Sequence, residues 1–212
     1  MTLDLYSYEA ALRAEYPILC GIDEAGRGPL AGPVCAAACV LPAGLVLEGL
    51  NDSKKLSAKR RDALYEEITA KALAWAVCLA DEKTVDEINI LQATFQAMRG
   101  AVSQLPLRPD LCLVDGNQDP RLELPTQTVV KGDASCASIA AASILAKVTR
   151  DRLMLAYDEQ YPGYGFAAHK GYPTKGHYEA IRTLGLCPIH RRSFFKKHGS
   201  FVATSGILCL YA

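Results

Sequence analysis

The 212-residue sequence contains no long apolar segment. No window approaches the roughly 18 consecutive apolar residues that a membrane-spanning helix needs. The start of the chain, Met1-Thr2-Leu3-Asp4, also lacks the basic and then apolar pattern of a secretion signal. We therefore expect a cytoplasmic protein that has no membrane partner.

Metal-binding cysteine pairs and two common catalytic loops are also missing. The eight cysteines include no Cys-x-x-Cys pair and lie mostly in apolar segments, which favours buried free thiols over a disulfide or zinc framework. No Gly-x-Ser-x-Gly elbow and no Gly-x-x-x-x-Gly-Lys-Ser/Thr loop occurs, which disfavours a serine hydrolase and a nucleoside triphosphatase. No repeat, low-complexity segment or Gly/Ser-rich linker divides the chain, so we expect one main domain.

The charge of the chain is balanced overall but unevenly distributed. There are 23 Lys and Arg residues against 23 Asp and Glu residues. Between Lys147 and His198, however, ten basic residues stand against four acidic ones, and this segment holds all four histidines. Such a segment can form the positive surface that binds a nucleic acid backbone, and a solvated basic face is the alternative.

The spacing of apolar residues predicts an α/β fold. Strands are predicted over residues 18–23, 33–41, 73–80, 111–114 and 126–130. Helices are predicted from a Ser57 cap through Ile68, from a capping box at 84–87, over 134–161, and over 175–184 after a Gly/Pro-rich loop. The apolar stripe of the second helix is expected to face the core at Val85, Ile88, Leu91, Phe95, Met98 and Val102. Together these elements predict one mixed sheet with helices on its faces.

Two adjacent carboxylates end the first predicted strand, and a glycine-flanked arginine follows them at once. Asp23 and Glu24 would raise each other's pKa unless a cation lies with them. Arg27 adds the opposite charge, and Gly26 and Gly28 allow the backbone amides to approach a ligand closely. The pattern predicts a metal site beside an anion site, and hence chemistry on a phosphodiester. An exposed acidic turn is the alternative.

Two further acids lie where the predicted sheet can bring them to the same place. Asp115 ends a strand at the edge where open α/β sheets bind ligands, and Asp133 opens the long helix. A plain turn at 115–117 and an N-cap at Asp133 are the alternatives. Four oxygen donors without a Cys/His set favour Mg²⁺ or Mn²⁺ over zinc. Two such ions about 3.5–4 Å apart would assist phosphoryl displacement.

The chain resembles bacterial ribonuclease HII, a type 2 ribonuclease H, over roughly residues 17–196. The resemblance rests on seven blocks: GIDEAGRGPLAGP (21–33), NDSKKL (51–56), VDGN (114–117), KGD (131–133), AASILAKVTRD (141–151), HKGYPT (169–174) and HRRSF (190–194). It implies a ribonuclease H-like mixed five-stranded sheet flanked by helices, with a small C-terminal helical extension. The expected boundaries are a lead-in at 1–16, a catalytic domain at 17–197 with its basic extension from about 162, and a tail at 198–212.

The resemblance also implies an activity. Such an enzyme hydrolyses the RNA strand of RNA–DNA hybrids and incises on the 5′ side of single ribonucleotides in duplex DNA, as ribonucleotide excision repair requires. Two Mg²⁺ or Mn²⁺ ions would support the hydrolysis, which leaves 5′-phosphate and 3′-hydroxyl ends. We expect a monomer whose partners are these nucleic acids. The alternatives are ribonuclease HIII, a metal-dependent nuclease that ignores the 2′-hydroxyl, and a non-catalytic binding module.

The resemblance assigns roles to individual residues. The four metal-binding catalytic carboxylates are matched by Asp23, Glu24, Asp115 and Asp133. The turn that senses the ribose 2′-hydroxyl is matched by Gly26, Arg27 and Gly28, and the tyrosine that packs on the next sugar is matched by Tyr172. Contacts with the sugar-phosphate backbone of the nucleic acid are assigned to Ser53, Lys54, Lys147, Arg191 and Arg192. A basic helix face is the alternative for Arg191 and Arg192, and no motif explains the apolar segment 206–212.

Overall fold

Five strands form one mixed sheet in the order β3-β2-β1-β4-β5. In the computed structural model, which describes residues 5–195, 202–204 and 207–209, these strands are β1 (Leu19–Ala25), β2 (Val34–Val40), β3 (Ala74–Ala80), β4 (Leu111–Asp115) and β5 (Thr126–Val129). Neighbours pair antiparallel in β1–β2 and β2–β3 and parallel in β1–β4 and β4–β5. The predicted five-stranded mixed sheet is confirmed.

Helices cover both faces of this sheet. They are α1 (Ser7–Leu12), α2 (Ala58–Lys71), α3 (Glu82–Ser103), α4 (Ala137–Gln160), α5 (Phe166–His169) and α6 (Lys175–Leu184). Side chains on β2 alternate between the two faces of the sheet, so that Cys35, Ala37 and Cys39 face α2 and α4. Val34, Ala36, Ala38 and Val40 on the opposite side of β2 pack in the cluster that contains α3.

Helix α4 lies unusually close to β1, and Gly21 makes this approach possible. A Cβ atom at Gly21 would lie 2.0 Å from the carbonyl carbon of Ser138 and 2.2 Å from the nitrogen of Ile139. Both are backbone atoms, so they could not move without the helix. The glycine therefore sets the distance between α4 and the strand that carries Asp23 and Glu24.

Helix α3 differs from its prediction at its start and at Asn89. It begins at Glu82, two residues before the predicted capping box, because the Asp81 side chain caps it by accepting from the Thr84 amide at 2.8 Å. At Asn89 the backbone has φ 67° and ψ 163°, and the Asn89 side chain restarts the helix by accepting from the amides at 91 and 92. The predicted apolar stripe is therefore not continuous across this kink. Ile88 is 37% exposed, against its expected core position.

The part of the chain after α4 is a small helical extension, as predicted. Helices α5 and α6 and a short 3₁₀ turn at Arg192–Phe194 enclose a cluster of buried side chains around Phe166. Two short strands, β6 (Val202–Thr204) and β7 (Ile207–Cys209), pair with each other. The expected boundary at residue 197 lies outside the described residues, as does most of the apolar segment 206–212.

Two expectations from the sequence concern the cysteines and the helices. The seven cysteines whose side chains are described are free, and five of them are buried, in agreement with the prediction of buried thiols. No helix in this part of the chain has the length and apolar character needed to cross a membrane.

Candidate active site

The carboxyl ends of two parallel strands bring three acids to one edge of the sheet. Strands β1 and β4 pair with Ile22 opposite Val114. Because the two strands run in the same direction, the next residues, Asp23 and Asp115, lie on neighbouring strands at the same edge. Glu24 follows directly, and its amide donates to Asp23 Oδ1 at 2.7 Å.

The fourth acid, Asp133, reaches this edge on a short 3₁₀ turn at Gly132–Ala134. Asp115 Oδ1 accepts from the Gly132 amide at 2.7 Å and lies 3.4 Å from the Asp133 nitrogen, which ties the turn to β4. Helix α4 begins only at Ala137, after Cys136. Asp133 is therefore neither the first residue nor the N-cap of this helix, as the sequence had suggested, and its carboxylate is directed to the site instead.

The four acids lie in an environment that opposes negative charge. Burial raises the pKa of Asp23 well above its usual value, and the neighbouring carboxylates of Glu24 and Asp115 raise it further. Burial also raises the pKa of Glu24, although Arg27 partly opposes this shift. The pKa of Asp133 is raised by burial and then by Asp115. A divalent cation would relieve this repulsion.

The donor set fits such a cation. All four side chains offer carboxylate oxygens, the ligands that Mg²⁺ and Mn²⁺ prefer. Among the described residues, no three His, Cys, Asp or Glu side chains close around a single point.

Lys54 and Ser53, two neighbouring residues predicted to contact the substrate, have different environments. The Lys54 side chain is 78% exposed, and its Nζ lies 3.6 Å from Asp133 Oδ2. Burial alone would lower the pKa of Lys54, but the carboxylates around it raise it overall. Ser53 is only 3% exposed, and its hydroxyl lies 2.9 Å from that of Ser143 on α4. The Ser53 hydroxyl is therefore buried and paired in this arrangement, and its contact with the substrate backbone stays a prediction.

The turn at residues 26–28 is held from beneath by Arg191. This arginine is 0% exposed. Its guanidinium donates to the carbonyl oxygens of Gly26 (2.7 Å), Arg27 (3.1 Å), Pro29 (2.9 Å) and Gly32 (2.8 Å). The guanidinium of Arg191 is therefore buried beneath the turn, and its direct contact with the substrate stays a prediction.

A second buried arginine, Arg150, supports the same segment, and the sequence analysis did not identify it. It is 0% exposed and donates to the carbonyl oxygens of Ala31, Pro33 and Lys170, each at 3.0 Å. A Cβ atom at Gly26, where φ is +94°, would lie 2.1 Å from Arg150 Nε. The sequence does contain an indication of this role. Arg150 follows Ser143 by seven residues, about two helical turns, so it lies on the same, buried face of α4.

Tyr172 and Lys147 lie together beside the glycine turn. Tyr172 is 41% exposed, and a Cβ atom at Gly28 would lie 3.6 Å from its Cε1 atom. Lys147 Nζ is 6.0 Å from the centre of the Tyr172 ring and 2.8 Å from Asp151 Oδ1. Arg27 extends from the other side of the turn and lies 3.4 Å from Glu24 Oε1. The structure thus brings the exposed Gly28, Tyr172 and the half-buried Lys147 together at one surface, with Gly26 buried beneath it.

Arg192 remains exposed and available as predicted, but its backbone has a structural role. Its amide donates to Asp86 Oδ2 at 2.9 Å, and the amide of Ser193 donates to Asp86 Oδ1 at 2.9 Å. Asp86, on the first turns of α3, therefore fixes the 3₁₀ turn that follows Arg191. In the sequence, Asp86 is recognisable only as part of the predicted capping box at 84–87.

A narrow cleft opens at this site between α3 and the end of β4. Its lining includes Glu24, Arg27, Phe95, Asp115 and Asn117. A larger groove lies elsewhere, between residues 96–109 and 121–124, and contains none of the predicted site residues. Of the predicted site residues, Glu24, Arg27 and Asp115 line the smaller cleft.

Comparison with known sequences points to a single family. The family described as Ribonuclease HII matches residues 20–197. Ribonuclease HII of Pelodictyon phaeoclathratiforme is 56% identical over 193 residues, which cover 88% of this chain and 94% of that protein. Ribonuclease HII of Dechloromonas aromatica is 58% identical over 177 residues, covering 84% and 90%.

Solved structures show the same fold. The crystal structure of ribonuclease H2 from Pyrococcus horikoshii OT3 is similar with a TM-score of 0.70 and 29% identity, covering 83% of this chain and 93% of that one. RNase HII in the PCNA complex from Archaeoglobus fulgidus is similar with a TM-score of 0.69 and 26% identity, covering 82% of this chain and 94% of that one. Bst-RNase HIII in complex with Mn²⁺ has a TM-score of 0.61 and 19% identity, covering 79% of this chain and 63% of that one. This similarity supports the fold alone.

Proposed function

Because the chain belongs to the ribonuclease HII family, we propose that it incises duplex DNA on the 5′ side of a single embedded ribonucleotide. Membership of this family makes it an endoribonuclease that acts on RNA–DNA hybrids. The observation that carries the finer proposal is the turn at residues 26–28, which follows Asp23 and Glu24 directly and lies beside Tyr172. A site of this kind can examine a sugar next to the phosphate that it cuts.

Recognition of the ribose is assigned to the backbone of this turn. The Arg191 guanidinium donates hydrogen bonds to the carbonyl oxygens of Gly26 and Arg27. Within the described part of the chain, the amides of Arg27 and Gly28 donate to no backbone carbonyl. These amides are therefore available to a 2′-hydroxyl oxygen, the atom that distinguishes RNA from DNA. The absent side chain at Gly28 leaves room for the sugar.

Tyr172 is assigned to the following sugar. Its exposed ring lies next to Gly28, so a nucleotide held by the turn places its 3′ neighbour over the ring. A deoxyribose packs there without burying a 2′-hydroxyl against an aromatic surface, where that group would lack a hydrogen-bond partner. This contact favours a junction from RNA to DNA.

The four carboxylates would hold the divalent cations. With Mg²⁺ or Mn²⁺ bound at Asp23, Glu24, Asp115 and Asp133, two ions in the substrate complex would supply Lewis-acid stabilisation of the charge that develops on the phosphoryl group. The chain's own residues orient this set: the Gly132 amide fixes Asp115, and the Glu24 amide fixes Asp23. We expect the chain to do this as a monomer.

Exposed basic side chains would hold the phosphate backbone. Lys54 lies at Asp133 and is the most exposed cation of the site, and Lys147 lies below Tyr172. Both can approach a phosphate without breaking the fold. Water attacks the phosphorus and the 3′-oxygen of the preceding nucleotide leaves, so the products are a 5′-phosphate on the ribonucleotide and a 3′-hydroxyl.

The direct test uses a DNA duplex that carries one ribonucleotide. We expect incision on its 5′ side with Mg²⁺ or Mn²⁺, and no incision with a chelator or of an all-DNA duplex. End mapping distinguishes a 3′-hydroxyl from a cyclic phosphate. Cutting of all-DNA duplex at a similar rate would overturn the role of the 2′-hydroxyl. Binding without cutting under either metal would indicate a binding module.

The metal ligands can be tested with matched substitutions. Asp115→Asn removes one carboxylate charge but retains an oxygen that can accept from the Gly132 amide, so the fold should persist. Asp119→Asn is the control, because Asp119 is exposed and its side chain accepts from the Arg121 amide outside the site. We expect only Asp115→Asn to lose turnover, by about a hundredfold or more. Turnover like that of the wild type in Asp115→Asn would refute the assignment.

The junction contact is tested by Tyr172→Ala on two substrates. Loss of the ring should weaken incision at a lone ribonucleotide more than cleavage within a long RNA strand of a hybrid, where no deoxyribose follows. Tyr172→Phe should retain the preference, since the ring and not the hydroxyl makes the contact. Equal losses on both substrates for Tyr172→Ala would contradict this part of the proposal.

A further inference from the structure

Three histidines lie beneath Tyr172 and take no part in the proposed chemistry. His177 is 0% exposed and His190 is 2% exposed. The rings of His169 and His177 stack with centroids 4.3 Å apart, and all three histidines contact Phe166. Histidines packed so closely must have defined proton positions, because each buried ring nitrogen needs a partner.

The partners determine where these protons lie. His177 Nδ1 is 3.0 Å from the carbonyl oxygen of Tyr172, which can only accept, so Nδ1 carries the hydrogen. The Cys187 amide donates to His190 Nδ1 at 3.0 Å, so that nitrogen is unprotonated. The two Nε2 atoms are 3.1 Å apart, and the remaining hydrogen on His190 Nε2 points to the bare Nε2 of His177. The hydrogen bonds thus run in one direction, from Cys187 through His190 and His177 to Tyr172.

His169 holds the other side of the same peptide. The Gly171 amide donates to His169 Nδ1 at 3.1 Å, so Nε2 carries the hydrogen and donates to the Tyr164 carbonyl at 2.8 Å. The His169 carbonyl in turn accepts from the Tyr172 amide at 2.9 Å. The backbone of Tyr172 is therefore held at its amide by the His169 carbonyl and at its carbonyl by His177 together with the Thr174 amide, which donates to the same oxygen at 2.8 Å.

This fastening matters because the residues before Tyr172 have unusual backbone angles. Lys170 has φ 51° and Gly171 has φ 81°. The Tyr172 ring itself is 41% exposed, so packing restrains it less than a buried ring. The direction of the ring then depends on its backbone, and the buried histidines supply one of the hydrogen bonds that fix it.

We propose that His177 and His190 are positioning residues for junction recognition, which hold the Tyr172 ring against the sugar through the relay that begins at the Cys187 amide. The proposal rests on the sugar contact assigned to Tyr172 above. Burial lowers the pKa of both histidines to about 4, so the relay stays neutral, with one hydrogen per ring, at neutral pH. A second hydrogen on His177 would set two Nε2–H groups against each other, and a second hydrogen on His190, at Nδ1, would face the N–H of the Cys187 amide.

The relay predicts a spectroscopic signature in the wild-type protein. In ¹⁵N-histidine-labelled protein at pH 7, two-bond ¹H–¹⁵N correlation spectra should show His177 with its hydrogen on Nδ1. His169 and His190 should carry theirs on Nε2. A His177 ring with hydrogen on Nε2, or a doubly protonated ring at this pH, would overturn the proposal without any activity measurement.

Two polar substitutions of His190 distinguish the loss of the hydrogen bond to His177 from a general loss of packing. His190→Gln can keep a donor where Nε2 lies, whereas His190→Asn keeps only an acceptor where Nδ1 lies. Loss of one hydrogen bond should lower kcat/KM at a lone ribonucleotide by about threefold to tenfold in His190→Asn. His190→Gln should stay near wild type, and cleavage within long RNA should change little in either variant. Similar behaviour of the two folded variants at the lone ribonucleotide would overturn the relay.

A double substitution ties the effect to Tyr172. If the relay acts through this ring, adding His190→Asn to Tyr172→Ala should cause no further loss at the lone ribonucleotide. Additive losses would show a general structural effect and overturn the proposal. Failure of the proposed function is distinguishable, because Tyr172→Ala alone would then show no selective loss. A selective loss in Tyr172→Ala that is absent in His190→Asn would overturn only the relay.

Discussion

Replacing Arg191 by lysine gives the sharpest test of how the turn at residues 26–28 is held. The guanidinium donates four hydrogen bonds to carbonyl oxygens spread from Gly26 to Gly32. A lysine ammonium keeps the charge but has three donors on one nitrogen, so it cannot reach the same set. At least one buried carbonyl would lose its partner.

The magnitude follows from these contacts. A hydrogen bond to a charged donor contributes about 1.5–3 kcal/mol, so loss of one or two predicts a free energy of unfolding lower by roughly 2–5 kcal/mol. The position also disfavours charge. Burial, and then the charge of Arg150, lower the pKa of Arg191 to about 9. Lysine has a lower ordinary pKa of about 10.4 and would be driven closer to neutrality there, which weakens its remaining bonds.

Urea unfolding and incision of the single-ribonucleotide duplex measure the two consequences. Arg192→Lys is the matched control, because Arg192 is the exposed neighbour and should change stability by less than about 0.5 kcal/mol. Arg191→Lys should also lose incision at the ribonucleotide, since the turn would no longer be held. A variant as stable as Arg192→Lys, with unchanged ribose selectivity, would refute the argument that this arginine orders the turn.

Three further predictions concern stability. Glu9→Gln should lower the free energy of unfolding in urea by about 1–3 kcal/mol, because the neutral amide loses the ion pair with Arg13 and weakens the charge-assisted bond from the Ser138 amide at the start of α4. Gly21→Ala should lower it by about 3 kcal/mol or more, since its Cβ would lie 2.0 Å from the backbone of Ser138. Between pH 6.5 and about 4, His177 and His190 should each make stability fall by roughly 1.4 kcal/mol per pH unit, because their folded pKa is about 4 and the unfolded chain binds protons first.

The controls for these predictions follow from the same contacts. The histidine contribution is complete above pH 6.5 and is lost as the pH falls toward 4. Asp23, Glu24 and Asp133 titrate with the opposite sign, since their raised pKa values favour the folded state as they take up protons. Comparison of wild type with His190→Gln across this range cancels the carboxylates. If the free energy of unfolding varied with pH in the same way in both proteins, the histidine prediction would be contradicted. A urea midpoint equal to that of the wild type in Glu9→Gln or in Gly21→Ala would contradict the corresponding prediction.

The sheet and the positions of its acids could be predicted because they depend on local pattern. Apolar runs of strand length fixed the five strands, and the parallel pairing of β1 with β4 brings Asp23 and Asp115 together. Less local features could not be predicted. The kink at Asn89 depends on one backbone conformation. The burial of Ser53 depends on Ser143, 90 residues away in the chain.

The Arg191 side chain lies in a different environment from the one expected, and the cause is physical. Charge alone indicates an exposed residue, so Arg191 was expected at the surface with Arg192. The segment from the end of β1 to the start of β2 is irregular, however, and its carbonyl oxygens receive few ladder hydrogen bonds. Buried carbonyls without a partner are costly, and an arginine with five donors can satisfy several at once. Whether an arginine is buried therefore depends on unmet acceptors elsewhere in the chain.

Accounting for these acceptors shows how the C-terminal extension is connected to the site. Arg191 satisfies carbonyls at 26, 27, 29 and 32, and Arg150 satisfies those at 31 and 33. The Arg191 amide donates to the Leu30 carbonyl, and the Leu30 amide donates to Gly171. The turn beside the carboxylates thus depends on residues from α4 and from the extension for its hydrogen bonds. The extension contributes to the site through a buried guanidinium that orders the turn, as well as through exposed charge.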